Sequence, residues 1–350
     1  GDHTEPANGF SYWVSKPGGH TTGFYNKEVI ENGKVRVEEG YTTDFWTKKG
    51  IEFIEKNKDK DQPFFLALTY NGPYGLSDLM LRPAKNRWAK YYENMHFQSF
   101  VADKMHPWQR SWKQFHNRQS AMERYASEVS GVDDGVGEIL TTLKRYGLDS
   151  NTLVIFTGDQ GWMGGQNGIW GMGDHTRPIG AHDLMMKIPL IFHHPGNIPS
   201  GRESDIIVSN YDFMPTLLNY LGISWENNND LESPGRDFSP LLKGKKNFSW
   251  VNEMFYEMEN TRAIRTDKWK YVARYPEGPY ELYNVKIDPQ ERFNMYGQSN
   301  SQKKTAELSA RLEAFFSEYA DPQYDIWNGG ESKVHRITSD SSNYTKNYFY

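Results

Sequence analysis

Apolar residues fall at helical spacing in residues 41–57 (YTTDFWTKKGIEFIEKN), where Phe45, Trp46, Phe53 and Ile54 make one side of a helix that Thr42 or Thr43 could cap. The polar run DKDQP ends it, and PFFLALTY (63–70) follows as an almost unbroken apolar stretch. Such a run reads as a strand buried on both faces, and NGPYG after it reads as a turn. Residues 76–117 show no period and many Trp, His, Lys and Arg, which suggests a long surface excursion with short helices. A helical stripe returns over 118–146, through Met122, Tyr125, Ala126, Val129, Val132, Val136, Ile139, Leu140 and Leu143, with Gly147 as its C-cap. TLVIFTG (152–158), KIPLIFHHPG (187–196) and SDIIVSN (204–210) read as strands, and YDFMPTLLNYLGI (211–223) as a helix ended by Gly222. This alternation predicts an α/β fold, a mostly parallel sheet with helices on both faces. Further on, residues 261–275 and 280–286 alternate around PEGP, the pattern of a hairpin in a small antiparallel sheet. Leu308, Leu312, Phe315 and Phe316 mark a last helix. The expected division is an α/β domain over 1–250 and an antiparallel subdomain with its tail over 251–350.

Composition narrows the function. The 350 residues carry a net charge of -5, so no basic excess exists to meet nucleic-acid phosphates. No apolar run approaches the roughly 18 residues of a membrane span. With no cysteine, the chain has no disulfide, no thiolate metal site and no cysteine nucleophile. It opens GDHTEPANGFSYW, without initiator Met or signal peptide, as a fragment or a processed product would.

The chemistry concentrates in residues 151–178, NTLVIFTGDQGWMGGQNGIWGMGDHTRP. In open α/β sheets ligands sit beyond the carboxyl ends of strands, which is where Asp159 falls. With the amide oxygen of Gln160 beside it, this pair suits a hard cation, Ca²⁺ or Mg²⁺. A helix cap or turn former is the alternative for an acid after a strand. The glycines would let backbone approach a bound group. Trp162 and Trp170 would line the loop or belong to the core. His175 and Arg177 could donate to an oxyanion, or could tie down their own loop.

The motifs taken together resemble the formylglycine-dependent sulfatases of the alkaline phosphatase superfamily. The likeness runs in order through Gly1-Asp2-His3 with Gly9-Phe10-Ser11-Tyr12-Trp13, PFFLALTYNGPYG, YASEVSGVDDGVGEILTTLKRYGL, NTLVIFTGDQG, IPLIFHHPG, VSNYDFMPTLLNYLGI and GRDFSPLLKG. It ends in TRAIRTDKWKYV and ELYNVKIDPQERFNM, and so covers nearly residues 1–320. The resemblance implies hydrolysis of a sulfate ester by a hydrated formylglycine, through a covalent sulfate ester, with a metal at the nucleophile. It sets Asp159 and Gln160 on adjacent metal-ligand positions. It makes Trp170, Tyr74 and Asn167 candidate substrate contacts, and His175 and Arg177 candidate catalytic donors. Three positions depart from the family: Asn167 and Tyr74 stand where His is usual, and Met172 where Lys is usual. The family's Cys/Ser-x-Pro-x-Arg nucleophile motif and its early Asp pair are not in the sequence. The expectation is therefore a sulfatase whose nucleophile lies upstream, the 350 residues alone being inactive. A sulfated glycan or small molecule is the implied partner, and the periplasm or exterior the implied location. Two other readings stand beside it: a relative that cleaves phosphate mono- or diesters, and a non-catalytic paralogue that binds sulfated glycans.

Overall fold

The computed structural model describes residues 5–6, 9–17, 23–73, 75, 78–224, 233–245 and 248–332. The chain divides into two compact units, one of 1–100 with 117–153, the other of 101–116 with 154–350. Gly1-Asp2-His3 and Tyr74 lie outside the described residues.

In the first unit β1 (Val14–Ser15), β2 (Tyr25–Glu31) and β3 (Lys34–Tyr41) form an antiparallel sheet in that order. Asn32-Gly33 turns β2 into β3 with positive φ at both residues, 53° and 70°, as a two-residue hairpin requires. Helix α1 (Thr42–Asn57) follows, buried along Phe45, Trp46 and Ile54. Its N-cap is Tyr41, not either threonine; Thr42 Oγ1 donates instead to the Phe24 carbonyl at 3.0 Å. After the short α2 (Ala89–Tyr92), α3 (Gln119–Arg145) packs on α1. Two glycines one turn apart make that approach close. A Cβ on Gly135 would lie 2.4 Å from Thr47 Oγ1, and one on Gly131 would lie 2.3 Å from Tyr41 Oη. The buried face of α3 also holds an ion pair, Arg124 Nε to Glu128 Oε1 at 2.6 Å, which a search for apolar stripes does not find.

In the second unit β4 (Val154–Thr157) enters a long loop that contains the small ladder β5 (Met163–Gly164) and β6 (Trp170–Gly171). Helix α4 (Asp183–Met186) closes the loop, and β7 (Leu190–His193) returns beside β4. Helix α5 (Asn210–Leu221) starts on a reciprocal Ser209–Asp212 capping box and stops at Gly222, whose φ is 71°. Residues 204–209, expected as strand, form none. After α6 (Ser239–Leu242) come β8 (Glu253–Met258), β9 (Thr261–Thr266), β10 (Lys270–Arg274) and β11 (Glu281–Tyr283), an antiparallel sheet in the order β11-β10-β9-β8. Helix α7 (Gln302–Tyr319) buries Leu308, Leu312 and Phe316 against Ile264, Tyr271, Ala273 and Leu282 of that sheet.

The parallel sheet expected from the sequence is not seen. Every ladder among the described residues is antiparallel, including the β4–β7 pair. Residues 63–70 join no ladder, and their side chains alternate, Phe64, Leu66, Leu68 and Tyr70 half-buried while Phe65 is 69% exposed. The apolar run is therefore covered on one face only. No helix of the described residues is long and apolar enough to cross a membrane.

Candidate active site in the loop after β4

Asp159 and Gln160 follow β4 by two residues, and both are exposed. They offer a carboxylate and an amide oxygen side by side, which fits a hard cation. A six- to eight-oxygen sphere needs more donors, and among the described residues no group of three His, Cys, Asp or Glu could hold a metal ion. The pair fits part of a coordination sphere.

The glycines beyond it serve a contact within the chain. Residues 101–116, the last part of the expected surface excursion, run along the loop as a strap. Val101 N–H donates to the Gly164 carbonyl at 3.0 Å, and His106 N–H to that of Gly168 at 2.8 Å. A Cβ on Gly165 would come 1.8 Å from the Val101 carbonyl oxygen, and one on Gly168 would come 1.8 Å from that of Lys104. Both glycines also have positive φ, 100° and 71°. Gln109, 2% exposed, then serves Trp170 as a strand neighbour would: its Oε1 accepts from Trp170 N–H at 2.8 Å, and its Nε2 donates to the Trp170 carbonyl at 2.9 Å. Arg177 N–H reaches the Trp108 carbonyl at 2.9 Å, and Arg110 N–H that of His175 at 2.8 Å.

Gly168→Ala should therefore cost about 2–4 kcal/mol, from left-handed strain plus the broken strap contact. Trypsin should then cut after Lys104, Arg110 or Lys113 at least about tenfold faster than in the parent. Gly196→Ala is the control, because Gly196 has φ 80° with nothing within 4 Å of its Cβ position. Equal cutting in both variants would show that the strap is not held by Gly168.

His175 and Arg177 lie together at the end of this loop with partners of their own. His175 is 3% exposed, and its Nε2 accepts the Trp112 indole N–H at 2.6 Å. A Cβ at Gly171 would lie 1.9 Å from its Nδ1, so only glycine admits the ring. Burial drives its pKa down to about 3; the Arg177 charge adds to this, and a hydrogen bond with the Trp170 backbone opposes it. The ring is neutral at pH 7 and has no imidazolium proton to give. One Arg177 guanidinium nitrogen donates to the carbonyls of Asp174 and Thr176, at 2.7 and 2.8 Å. Trp170 is 2% exposed and sits edge-on to Trp162, centroids 6.2 Å apart. Asn167 is left-handed (φ 53°), takes Asp103 on its N–H at 3.0 Å and donates its amide to the Gln290 carbonyl at 2.8 Å. Met172 is half-buried.

The depressed pKa gives a signed expectation. The unfolded imidazole takes its proton near pH 6.5, the folded one near 3. The stability this group contributes is full above pH 6.5 and is lost as pH falls toward 3. By pH 4 the loss is roughly 3 kcal/mol. Unfolding of a His175→Gln variant should lose less on going from pH 7 to 4 than the parent does. An equal loss would place the acid sensitivity elsewhere.

The exit of the loop is held by charges inside the C-terminal sheet. Lys270, 0% exposed, donates to the Ala181 carbonyl at 2.6 Å and to Asp183 at 3.1 Å, and pairs with Glu291. Arg274, 0% exposed, gives two hydrogen bonds to the Ile179 carbonyl, at 2.9 and 2.8 Å, and pairs with Glu281 at 2.6 Å.

A family model described as Sulfatase matches residues 2–223. The chain belongs to the sulfatase family. A second model, described as N-sulphoglucosamine sulphohydrolase, C-terminal, matches residues 180–318. The chain is 26% identical to an N-acetylglucosamine-6-O-sulfatase of Bacteroides thetaiotaomicron, over 92% of this chain and 70% of that protein. It is also 26% identical to the N-acetylglucosamine-6-sulfatase of Bos taurus, over 74% of this chain and 46% of that protein. A solved structure, described as in complex with its substrate D-glucosamine-2-N,6-O-disulfate, matches with a TM-score of 0.74 at 23% identity, over 94% of this chain and 79% of that one. The chain thus spans between about half and seven-tenths of the length of these curated relatives.

Sequence reasoning missed the strap and the buried cations of β10. The glycines of the loop announced a close approach without saying that the chain itself makes it. Lys270 and Arg274, both in KYVAR, were legible only as the ordinary charges of an alternating hairpin. That hairpin is two: residues 261–275 already fold back on themselves as β9 and β10, and PEGP joins β10 to β11.

Proposed function

We propose that this chain is the larger part of a metal-dependent sulfatase that removes a sulfate ester from a glycan. The observation that carries the reading is the exposed Asp159–Gln160 pair delivered by β4, within the span of the family match. In this reading the pair supplies two oxygen ligands to a divalent cation, Ca²⁺ or Mg²⁺, and residues upstream of Gly1 supply the others with the formylglycine. Cation and formylglycine, when present, provide charge neutralisation and the nucleophile. The chain's own part is to hold the two ligands at the end of a paired strand and to fix the glycine loop beside them. His175 and Arg177 act in that fixing, as a neutral acceptor for Trp112 and as a clamp on two carbonyls. A glycan is favoured because the two N-acetylglucosamine sulfatases match along most of the chain. Export to the periplasm or the exterior goes with such a substrate.

The test is sulfate release by the full-length protein from glucosamine 6-sulfate, beside phosphate release from glucosamine 6-phosphate. Faster sulfate release supports the reading. Preference for the phosphate ester moves the protein to the phosphoesterase branch, and binding without release of either group makes it a binding paralogue.

A further inference from the structure

Trp112 has a backbone that its fastening role does not explain. Its φ and ψ are 63° and 21°, the left-handed region that disfavours bulky side chains. Among the described residues, eight non-glycine positions have positive φ; five are asparagine, two are glutamate, and Trp112 is the aromatic one. Strain of this kind persists where the side chain it presents is needed.

The indole is fixed on two sides. Its N–H edge is tied to His175 at 2.6 Å. One face stacks on Phe115, centroids 5.1 Å apart and planes 12° apart, and Phe115 is itself 2% exposed. Trp112 is nonetheless half-buried rather than buried. It keeps part of its surface in solvent. Arg110 and Lys113, its near neighbours in sequence, are exposed. An indole fixed in this way, partly exposed and with cations next to it in sequence, suits an anionic sugar. The apolar C–H face of a sugar ring stacks on an aromatic face, and a ring already fixed loses little freedom when it does so.

We propose that Trp112 is the platform on which a sugar ring of the substrate stacks, with His175 as the positioning residue that holds it. This deepens the sulfatase reading and rests on it. In the full-length protein, Trp112→Ala should lower the ratio of kcat/KM for glucosamine 6-sulfate over that for propyl sulfate about tenfold, mainly through KM of the sugar. Propyl sulfate carries the same ester without a ring. Trp112→Phe keeps a stacking face and loses the N–H, and should lower that ratio by less than about threefold. Equal loss on both substrates, or no change, overturns the platform. Binding of unsulfated chitobiose, read as quenching of tryptophan fluorescence, needs no turnover. Quenching that Trp112→Phe weakens, in a parent that releases no sulfate, supports the platform and removes the sulfatase reading. Sulfate release without quenching removes the platform alone.

Discussion

Asp159→Ala in the full-length protein should lower kcat/KM for a sulfated sugar by about 10³-fold or more, with no measurable loss of stability. The size follows from the several kcal/mol of charge stabilisation that a cation contributes, at 1.36 kcal/mol per factor of ten. The silence in stability follows from exposure: Asp159 lies past the end of β4 in solvent, where a substitution costs within about 0.5 kcal/mol. Asp159→Asn keeps one oxygen and should fall between parent and alanine. Bound divalent metal, counted in the purified proteins, should fall with activity. Two results would sink the ligand assignment: full activity in the alanine variant, or a fall in melting temperature of several degrees that accounts for the activity lost.

The second large effect is in stability. Lys270→Met should cost about 3–5 kcal/mol, the range for removing one partner of a buried ion pair. The methionine fills the space, so the cost is electrostatic. It leaves the Ala181 carbonyl without its 2.6 Å donor and Glu291 buried beside Asp183. Burial already holds the Glu291 carboxyl above its ordinary pKa, whereas the Lys270 and Arg265 charges hold Asp183 below its own despite burial. The melting temperature should drop on the order of 10 °C. Adding Glu291→Gln to Lys270→Met should recover part of it, because the stranded charge is gone. A single-variant cost under about 1 kcal/mol, or no recovery in the double variant, would contradict this account.

The sequence was most legible where one periodicity dominated. Helices α1, α3 and α5 lie within two residues of their expected bounds, α7 contains the four residues that marked it, and Gly147 and Gly222 take the left-handed cap geometry. Residues 63–70 misled because an apolar run does not say whether one face or two are covered. Asp159 and Gln160 stood out because an acid after an apolar strand falls where open α/β sheets hold ligands, with a cap or turn former as the alternative. The strap did not, for a physical reason: residues 101–116 meet 164–177 mostly through backbone atoms, across about sixty residues of chain, so no side-chain pattern records the contact. Only the glycines do. The same blindness hid the work of Lys270 and Arg274, whose partners include the carbonyls of Ala181 and Ile179.

The one-sided cover of residues 63–70 bears on how the protein is handled. FFLALTY is an uncharged, strand-prone heptapeptide whose backbone joins no ladder among the described residues. Segments of that kind template cross-β association between chains. The chain sets Asp59, Lys60, Asp61 and Pro63 immediately before it, the charge-and-proline gatekeeping that slows such stacking. Pro73 stands beyond the other end without a charge beside it, so the weaker guard is on that side and on the open face, where Phe65→Lys should raise the soluble yield on refolding.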